Sequence, residues 1–377
     1  MLSNKKSLLN CFVVQYVLTF VILLLLVCLS CCLNEIVTTL GSIVLLTIIS
    51  WFVTKQIRKS LNNEFVTSYK RAVLITGCDS GFGNALAQTL NEHGFRVYAT
   101  VLDTDSDGAK KLVTSARFDG MTTVLRMDVT NDEEVNAVYE QITKELQQNG
   151  EQLWAVVNNA GIITWGPLDW GTVDKYKRIF EVNTFGTVRV TRTFLPLIRQ
   201  SKGRIVNLVS MNGRLTFNNE TIYSMSKYAA ISFSDALRRE TRKWGVKVST
   251  IEPMAYRTPL SSNEYFTHEL DKQWTESTQQ VRQLYGKQYY ENLRHRDEST
   301  STLSVGNNIY EVIDKLVDAV RSTEPLVRYV SVPGTPFDKF LTFLIQLMPT
   351  ELYDYYIELK NSRKSIIKPA ALQTNTD

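Results

Sequence analysis

From residue 71 onward the chain alternates between two apolar patterns. Short, nearly continuous apolar runs ("RAVLIT", "FRVYATVL", "TTVLRMDV", "LWAVVNNAG", "GRIVNLVS" and "VKVSTIEP") have the length of strands buried on both faces. Between them, "NALAQTLNEHG", "DEEVNAVYEQITKELQQ" and "SMSKYAAISFSDALRRETRKWG" carry apolar residues at helical spacing. Strands alternating with helices predict an α/β fold: a doubly wound parallel sheet with helices on both faces, one domain over residues 70–350. No internal repeat or second domain boundary interrupts it.

Residues 1–60 follow another pattern. An almost unbroken apolar run covers 8–33, Asn34 and Glu35 interrupt it, and a second run covers 36–53. Each is near the ~20 residues a bilayer-spanning helix requires. Lys5 and Lys6 precede the pair, and Lys55, Arg58 and Lys59 follow it. Two N-terminal transmembrane helices forming a hairpin, both ends cytoplasmic, satisfy the positive-inside rule and leave the body in the cytosol. A cleaved signal peptide and a single kinked or re-entrant insertion are the alternatives. The lipid bilayer is therefore an expected partner.

A net charge of +4, with no block of basic residues, speaks against nucleic acid as a partner. Four cysteines (Cys11, Cys28, Cys31 and Cys32) lie in the apolar N-terminus and Cys78 stands alone in the body, so neither a disulfide framework nor a zinc site is expected. His93, His268 and His295 are scattered, and no metal site is expected.

The stretch "LITGCDSGFG" places Gly77, Gly81 and Gly83 between a predicted strand and a predicted helix. Gly77 allows a tight turn, while Gly81 and Gly83 let backbone N–H groups and the helix N-terminus approach a pyrophosphate. An ordinary strand-to-helix turn is the alternative. Twenty residues past Gly83, Asp103 ends the second strand, where a carboxylate binds ribose hydroxyls and repels a 2′-phosphate, favouring NAD over NADP. Asp105 and Asp107 follow closely, and a solvated acidic turn explains the cluster equally well. Asp128 is a second candidate for the adenine edge, with helix capping as its alternative.

Further along, "VSMNGRLTFNNETIYSMSKYAA" holds Ser210 at a strand end, then Tyr223 and Lys227 four residues apart, on one helix face. Tyrosine alone, with a pKa of about 10, is a poor base at neutral pH. A neighbouring ammonium and an oxidised nicotinamide stabilise the phenolate, so that Tyr223 takes the proton of a substrate alcohol while hydride leaves. Ser210 would hold the same oxygen. In isolation such a Tyr–Lys pair is usually a surface feature; the glycine loop, the sheet and "NNAG" at 158–161 give it a context.

Together, "TGCDSGFG", "NNAG", Asn183 in "EVNTFGTV", Ser210 and the Tyr223–Lys227 pair resemble the short-chain dehydrogenase/reductase family over residues 70–350. The resemblance implies a Rossmann-type catalytic domain and a tetrad of Asn183, Ser210, Tyr223 and Lys227. Asn183 would hold, through its backbone, a water behind Lys227. Asn159 would steady the central strands and approach the adenine ribose. The implied cofactor contacts are Gly77, Asp79, Ser80, Gly81, Phe82, Gly83, Asp103, Asp128, Val129, Asn159, Ala160, Gly161, Tyr223, Lys227, Pro253 and Thr258. Met254 departs from the family's Pro-Gly, and a shifted carboxamide loop is the expected consequence.

Finer wording, such as "GFRVYATVLDTDSDGAKKL" and "WGVKVSTIEP", looks like the membrane-bound type 2 hydroxysteroid dehydrogenases and their retinol and 3-hydroxybutyrate dehydrogenase relatives. The resemblance implies an NAD-linked oxidoreductase of an apolar alcohol or ketone, anchored in the endoplasmic reticulum membrane and facing the cytosol. The rival location is a mitochondrial membrane, and a homodimer is left open. The rival functions are 3-hydroxybutyrate oxidation, with Arg214 or Arg257 holding the carboxylate, and a catalytically silent NAD-binding scaffold.

A substrate lid is expected over residues 256–305, with Tyr265, Phe266, Trp274 and Tyr285 either lining a pocket or packing lid helices onto the body. Residues 336–349 are apolar enough for a membrane surface or another subunit, though packing onto the body is the commoner fate of such a helix. The tail, 365–377, is expected to be mobile.

Overall fold

In a computed structural model, which describes residues 18–19, 21–22, 31–61, 64–295, 305–362 and 369–372, all six predicted strands form. They are β1 (Arg71–Ile75), β2 (Arg96–Val101), β3 (Thr122–Arg126), β4 (Gln152–Asn158), β5 (Arg204–Leu208) and β6 (Lys247–Pro253), joined by a short β7 (Arg328–Ser331) that the apolar pattern does not reveal. Every pairing is parallel, in the order β3-β2-β1-β4-β5-β6-β7. The chain winds outward from β1 to β3 and then returns to β4 on the other side of β1. That reversal leaves a crevice beyond the carboxyl ends of β1 and β4, where open α/β sheets bind ligands.

In the body, helices α2 (Gly81–Glu92), α3 (Asp107–Thr114), α4 (Asp132–Asn149), α5 (Val173–Phe180), α6 (Thr187–Ser201) and α7 (Thr221–Thr241) connect the strands; α1 (Cys31–Leu61) precedes them. After β6 come α8 (Asn263–Glu276), α9 (Gln279–Tyr285), α10 (Lys287–Arg294) and α11 (Tyr310–Arg321), and after β7 come α12 (Pro336–Leu347) and α13 (Thr350–Ser362). The apolar runs are continuous because both faces of the sheet are covered. Val73, Ile75, Val97 and Val157 enter one core with Leu86, Leu90, Val312 and Leu316, while Ala72, Leu74 and Val156 enter the other with Val138, Ile142, Val190 and Phe194.

The chain divides into two units, 1–64 and 65–377. In the first, α1 runs without interruption through Asn34 and Glu35, so the expected break between two spans does not fall there. Two polar side chains cost a helix only tenths of a kcal/mol, about 0.7 at most each, and leave its hydrogen bonds intact. The first expected span, 8–33, lies almost wholly outside the described residues. Side chains of α1 are described at Glu35, from Val37 to Ser50, and at Val53 and Thr54; among the described residues no helix is long and apolar enough to cross a membrane. Of the tail, Pro369–Leu372 is described and forms a short turn whose Ala370 lies beside Gly286, a contact the sequence did not foretell. The rest of 365–377 lies outside the described residues.

Candidate active site

The glycine loop is shaped by what it touches. Gly77 has a left-handed backbone (φ 67°), and a Cβ there would sit 2.8 Å from Ala160 Cα. A Cβ on Gly83 would overlap both the Asn159 side-chain amide and the Gly77 carbonyl. These close approaches exist because Asn159 Nδ2 donates to the carbonyls of Thr76 (2.8 Å) and Gly77 (2.7 Å). The backbone N–H groups of Asn159 and Ala160 in turn donate to Thr76 Oγ1, at 3.1 and 3.0 Å. The steadying role expected of Asn159 is thus a stitch between the β4 turn and the loop. Thr76 was not among the expected site residues; a hydroxyl closing an apolar strand was its only signal.

Beyond the loop, Ser80 precedes the first turn of α2 without a side-chain cap. Uncapped N–H groups at a helix start suit an anion. Across the loop, Thr258 lies 3.6 Å from where a Gly81 Cβ would be, so the segment after β6 lies against the loop. Cys78 is fully buried, and burial pushes its thiol up, so it packs and does not react.

Other expected cofactor residues spend their side chains within the protein. Asp79 accepts the Leu102 N–H (2.9 Å), tying the loop to the end of β2, and Phe82 packs edge-to-face on Tyr256. Asp103 is exposed and accepts the Asp105 N–H at 2.9 Å, forming the acidic turn that was its alternative reading, at the place expected for a ribose contact. Asp128 accepts from the Thr130 N–H and hydroxyl (both 2.8 Å) and pairs with Arg178 at 3.2 Å. Burial pushes its carboxyl up, but those bonds prevail and hold it below the usual range. The cap of α4 is Asn131, so Asp128 does not play the capping role. Val129 is buried and its carbonyl accepts from Arg189.

Three elements bring the expected tetrad together. Ser210 follows β5 and caps a turn of 3₁₀-helix, accepting the Asn212 N–H at 3.1 Å. Tyr223 and Lys227 lie on α7, with Lys227 Nζ 5.5 Å from the Tyr223 ring centroid. Asn183 sits in a π-helical turn, Glu181–Gly186, a widened turn that often marks functional sites. A Cβ on Gly161 would lie 3.3 Å from Asn183 Oδ1 and 3.4 Å from Lys227 Nζ, which places the "NNAG" turn between them.

Burial dominates the electrostatics of the Tyr223–Lys227 pair. Burial pushes the Tyr223 phenol up, the Ser210 hydrogen bond offsets this in part, and Glu220 adds to it. Lys227 is not among the causes of that shift; its ammonium lies over the ring, and burial brings its own pKa down to about 8. Dehydration of both groups outweighs their mutual support. Asn183 braces the site through its side chain, accepting the Ile162 N–H (2.8 Å) and donating to the Ile162 carbonyl (2.9 Å) and Ser226 Oγ (3.0 Å). Its carbonyl, the expected water holder, accepts from Thr187 Oγ1 at 3.1 Å.

Met254 causes no backbone strain, since Lys70, Lys202 and Asn219 are the non-glycine residues with positive φ among the described residues. Its N–H donates to the Ser331 carbonyl (2.8 Å), and its side chain joins Met211, Leu215 and Ile345 in an apolar cluster. Pro253 ends β6 with its carbonyl 3.4 Å from Ser210 Oγ.

In the expected lid, the aromatics pack. Tyr265 and Phe266 meet Trp165, and Trp274 and Tyr285 meet the buried Trp170 at 4.8 and 5.3 Å. Buried Gln273 adds hydrogen bonds to Thr164 Oγ1 and the Trp165 carbonyl. The fastening surface, 164–170, carried no sequence signal of its own. Arg214, proposed for a substrate carboxylate, lies 3.4 Å from the fully buried Glu252, which also holds Arg328 at 2.7 Å.

The loop, its uncapped helix start and the Ser210–Tyr223–Lys227 group fit a dinucleotide whose reactive end faces a tyrosine. The sequence pattern of the family described as short chain dehydrogenase matches residues 71–268. The mitochondrial D-beta-hydroxybutyrate dehydrogenase of Bos taurus is 41% identical over 283 residues, covering 74% of this chain and 80% of that protein. The 17-beta-hydroxysteroid dehydrogenase type 6 of Bos taurus is 35% identical over 312 residues (82% and 92% of the two chains). Retinol dehydrogenase 7 of Rattus norvegicus is 36% identical over 287 residues (76% and 87%). Among solved structures, a short-chain dehydrogenase from Streptomyces avermitilis matches with a TM-score of 0.56 at 24% identity, covering 79% of this chain and 98% of that one. A 3-ketoacyl-(acyl-carrier-protein) reductase from Brucella melitensis, complexed with NADH, matches with a TM-score of 0.54 at 19% identity, over 70% and 95%. These structural likenesses concern the fold.

Proposed function

The chain belongs to the short-chain dehydrogenase family and is an oxidoreductase of alcohol groups, and from that premise we propose that it interconverts the alcohol and ketone of an apolar substrate, of hydroxysteroid or retinoid class, using NAD. A bound nicotinamide supplies the hydride acceptor or donor. Tyr223 exchanges the proton of the substrate oxygen, Ser210 holds that oxygen, Lys227 supports the phenolate, and Asn183 braces the turn beside Lys227. NAD is supported by the carboxylate of Asp103 just past the end of β2.

The observation that supports the substrate class best is that Arg214, one of the two arginines considered for a carboxylate, is already paired, as is a lysine beside the lid. Arg214 is committed to Glu252, and Lys175, at the lid, to Glu269 at 2.6 Å. The residues that follow Ser210 and Pro253 are apolar: Met211, Leu215 and Met254. Such apolar neighbours suit an apolar alcohol.

Membrane attachment belongs to the same reading. Leu40, Ile43, Val44, Leu45, Leu46, Ile48 and Ile49 are exposed on every side of α1, a pattern at home in lipid. On α12, Thr342 and Ile345 pack inward while Phe337, Phe340, Phe343 and Leu347 face outward. Attachment to the endoplasmic reticulum is the proposed location, and a mitochondrial membrane the rival one.

A second reading, oxidation of 3-hydroxybutyrate, is favoured by the 41% identity to the bovine mitochondrial dehydrogenase. The purified full chain, assayed with a 17-beta-hydroxysteroid, retinol and 3-hydroxybutyrate against NAD and NADP, separates the two. Turnover of the steroid or retinol with NAD is the expected result; turnover of 3-hydroxybutyrate alone overturns the apolar reading.

A further inference from the structure

Glu220 stands directly before α7 and three residues ahead of Tyr223, and its side chain caps none of that helix's N–H groups. Its Oε2 instead accepts from Asn212 Nδ2 at 2.5 Å. This bond fixes which way the Asn212 amide faces. With the nitrogen held by the carboxylate, Oδ1 is turned toward Ser210, whose hydroxyl donates to it at 3.2 Å, while the Asn212 N–H donates to the same hydroxyl oxygen at 3.1 Å. A longer bond from Nδ2 to Ser224 Oγ, at 3.4 Å, holds the amide in that sense.

Asn212 and Ser210 are both buried, where a charge-assisted bond is stronger than in water. The Ser210 hydroxyl has one proton and several acceptors within reach: Asn212 Oδ1, the Pro253 carbonyl at 3.4 Å and the Tyr223 oxygen. Where that proton points therefore depends on an amide that Glu220 orients.

We propose that Glu220 is a positioning residue, acting through Asn212 on the Ser210 hydroxyl and through its charge on Tyr223, so that it sets the pH range in which the site turns over. The inference rests on the reading of Tyr223 as the acid/base. The phenol is faced by Ser210 from the 3₁₀ turn, by Lys227 from its own helix and by Glu220. Glu220 is faced by Asn212 and, from α13, by Tyr353, whose phenol is raised chiefly by burial and in lesser part by the same carboxylate. Removing the charge makes the Tyr223 phenolate easier to form.

The test uses the full chain with NAD and whichever alcohol of the panel it oxidises, with pH–rate profiles for three variants. Glu220→Gln keeps an acceptor for Asn212 and removes the charge, so the acid limb of kcat/KM moves to lower pH, by about one unit, with the plateau rate within about twofold. Glu220→Ala removes the acceptor as well and lowers kcat about tenfold with KM unchanged. An acid limb that stays in place in Glu220→Gln overturns the proposal, and that variant decides alone if Glu220→Ala fails to fold in a thermal melt. Tyr223→Phe is measured alongside. Activity in it overturns the reading of Tyr223 itself; an inactive Tyr223→Phe with an unmoved Glu220→Gln overturns only the role of Glu220.

Discussion

The Lys227 ammonium lies over the Tyr223 ring, 5.5 Å from its centroid, one turn along α7. In this position it lends the ring cation–π support but leaves the phenol, pushed up by burial, in its protonated form. A tyrosine so held is ready to give a proton to a ketone oxygen, and taking one from an alcohol requires further positive charge beside it.

Replacing Tyr223 with phenylalanine removes the proton exchange and little else. The expected loss of turnover is about 10²- to 10⁴-fold, with NAD affinity retained, as measured by steady-state kinetics and calorimetry. Undiminished turnover would refute the assigned role.

Lys227 is a cost to the fold at neutral pH. Its pKa is lowered by burial from 10.5 to about 8, so below about 8 the lysine is charged in both states and the burial penalty is fully present. Above about 8 the folded chain holds fewer protons than the unfolded one, and stability rises until pH reaches about 10.5. Lys227→Met is therefore expected to be more stable than the parent at pH 7, by on the order of 3 kcal/mol, although inactive. Thermal melts across pH should show the gain shrinking between those two values; a constant difference contradicts the burial penalty.

Gly83→Ala forces a methyl into the Asn159 amide and the Gly77 carbonyl. The two bonds from Asn159 Nδ2 to Thr76 and Gly77 are disrupted, with a loss of about 2 kcal/mol of stability and much weaker NAD binding. Denaturant melts and NAD titration check both, and parental NAD affinity in the variant rules out the loop as the cradle.

Asp103→Ala removes the carboxylate proposed to disfavour a 2′-phosphate. The ratio of kcat/KM for NAD over NADP is expected to fall about tenfold or more, toward NADP. An unchanged ratio moves the discrimination to another residue.

Glu252→Gln leaves Arg214 and Arg328 beside a buried neutral amide. Stripping the carboxylate shared by this pair is expected to cost about 3 kcal/mol, seen in the denaturation midpoint. A gain of activity on 3-hydroxybutyrate in this variant would show that the paired Arg214 is what excludes the small anion.

The alternation of apolar runs was enough to place six strands, because strands buried on both faces are apolar at nearly every position. The order of "TGCDSGFG", "NNAG", Ser210, Tyr223 and Lys227 was enough to identify the chemistry, because those residues recur in sequence whatever their packing. Only the tertiary structure decided how they act. It turned Asp79 inward to Leu102, used Asn183 as a brace, packed Met254 into an apolar cluster, committed Arg214 to Glu252 and placed Glu220 behind Ser210 through Asn212. Each of these depends on burial and on partners far apart in the chain. Hydrogen bonds and dehydration act over a few ångströms in space, and spacing along a sequence carries no record of that distance.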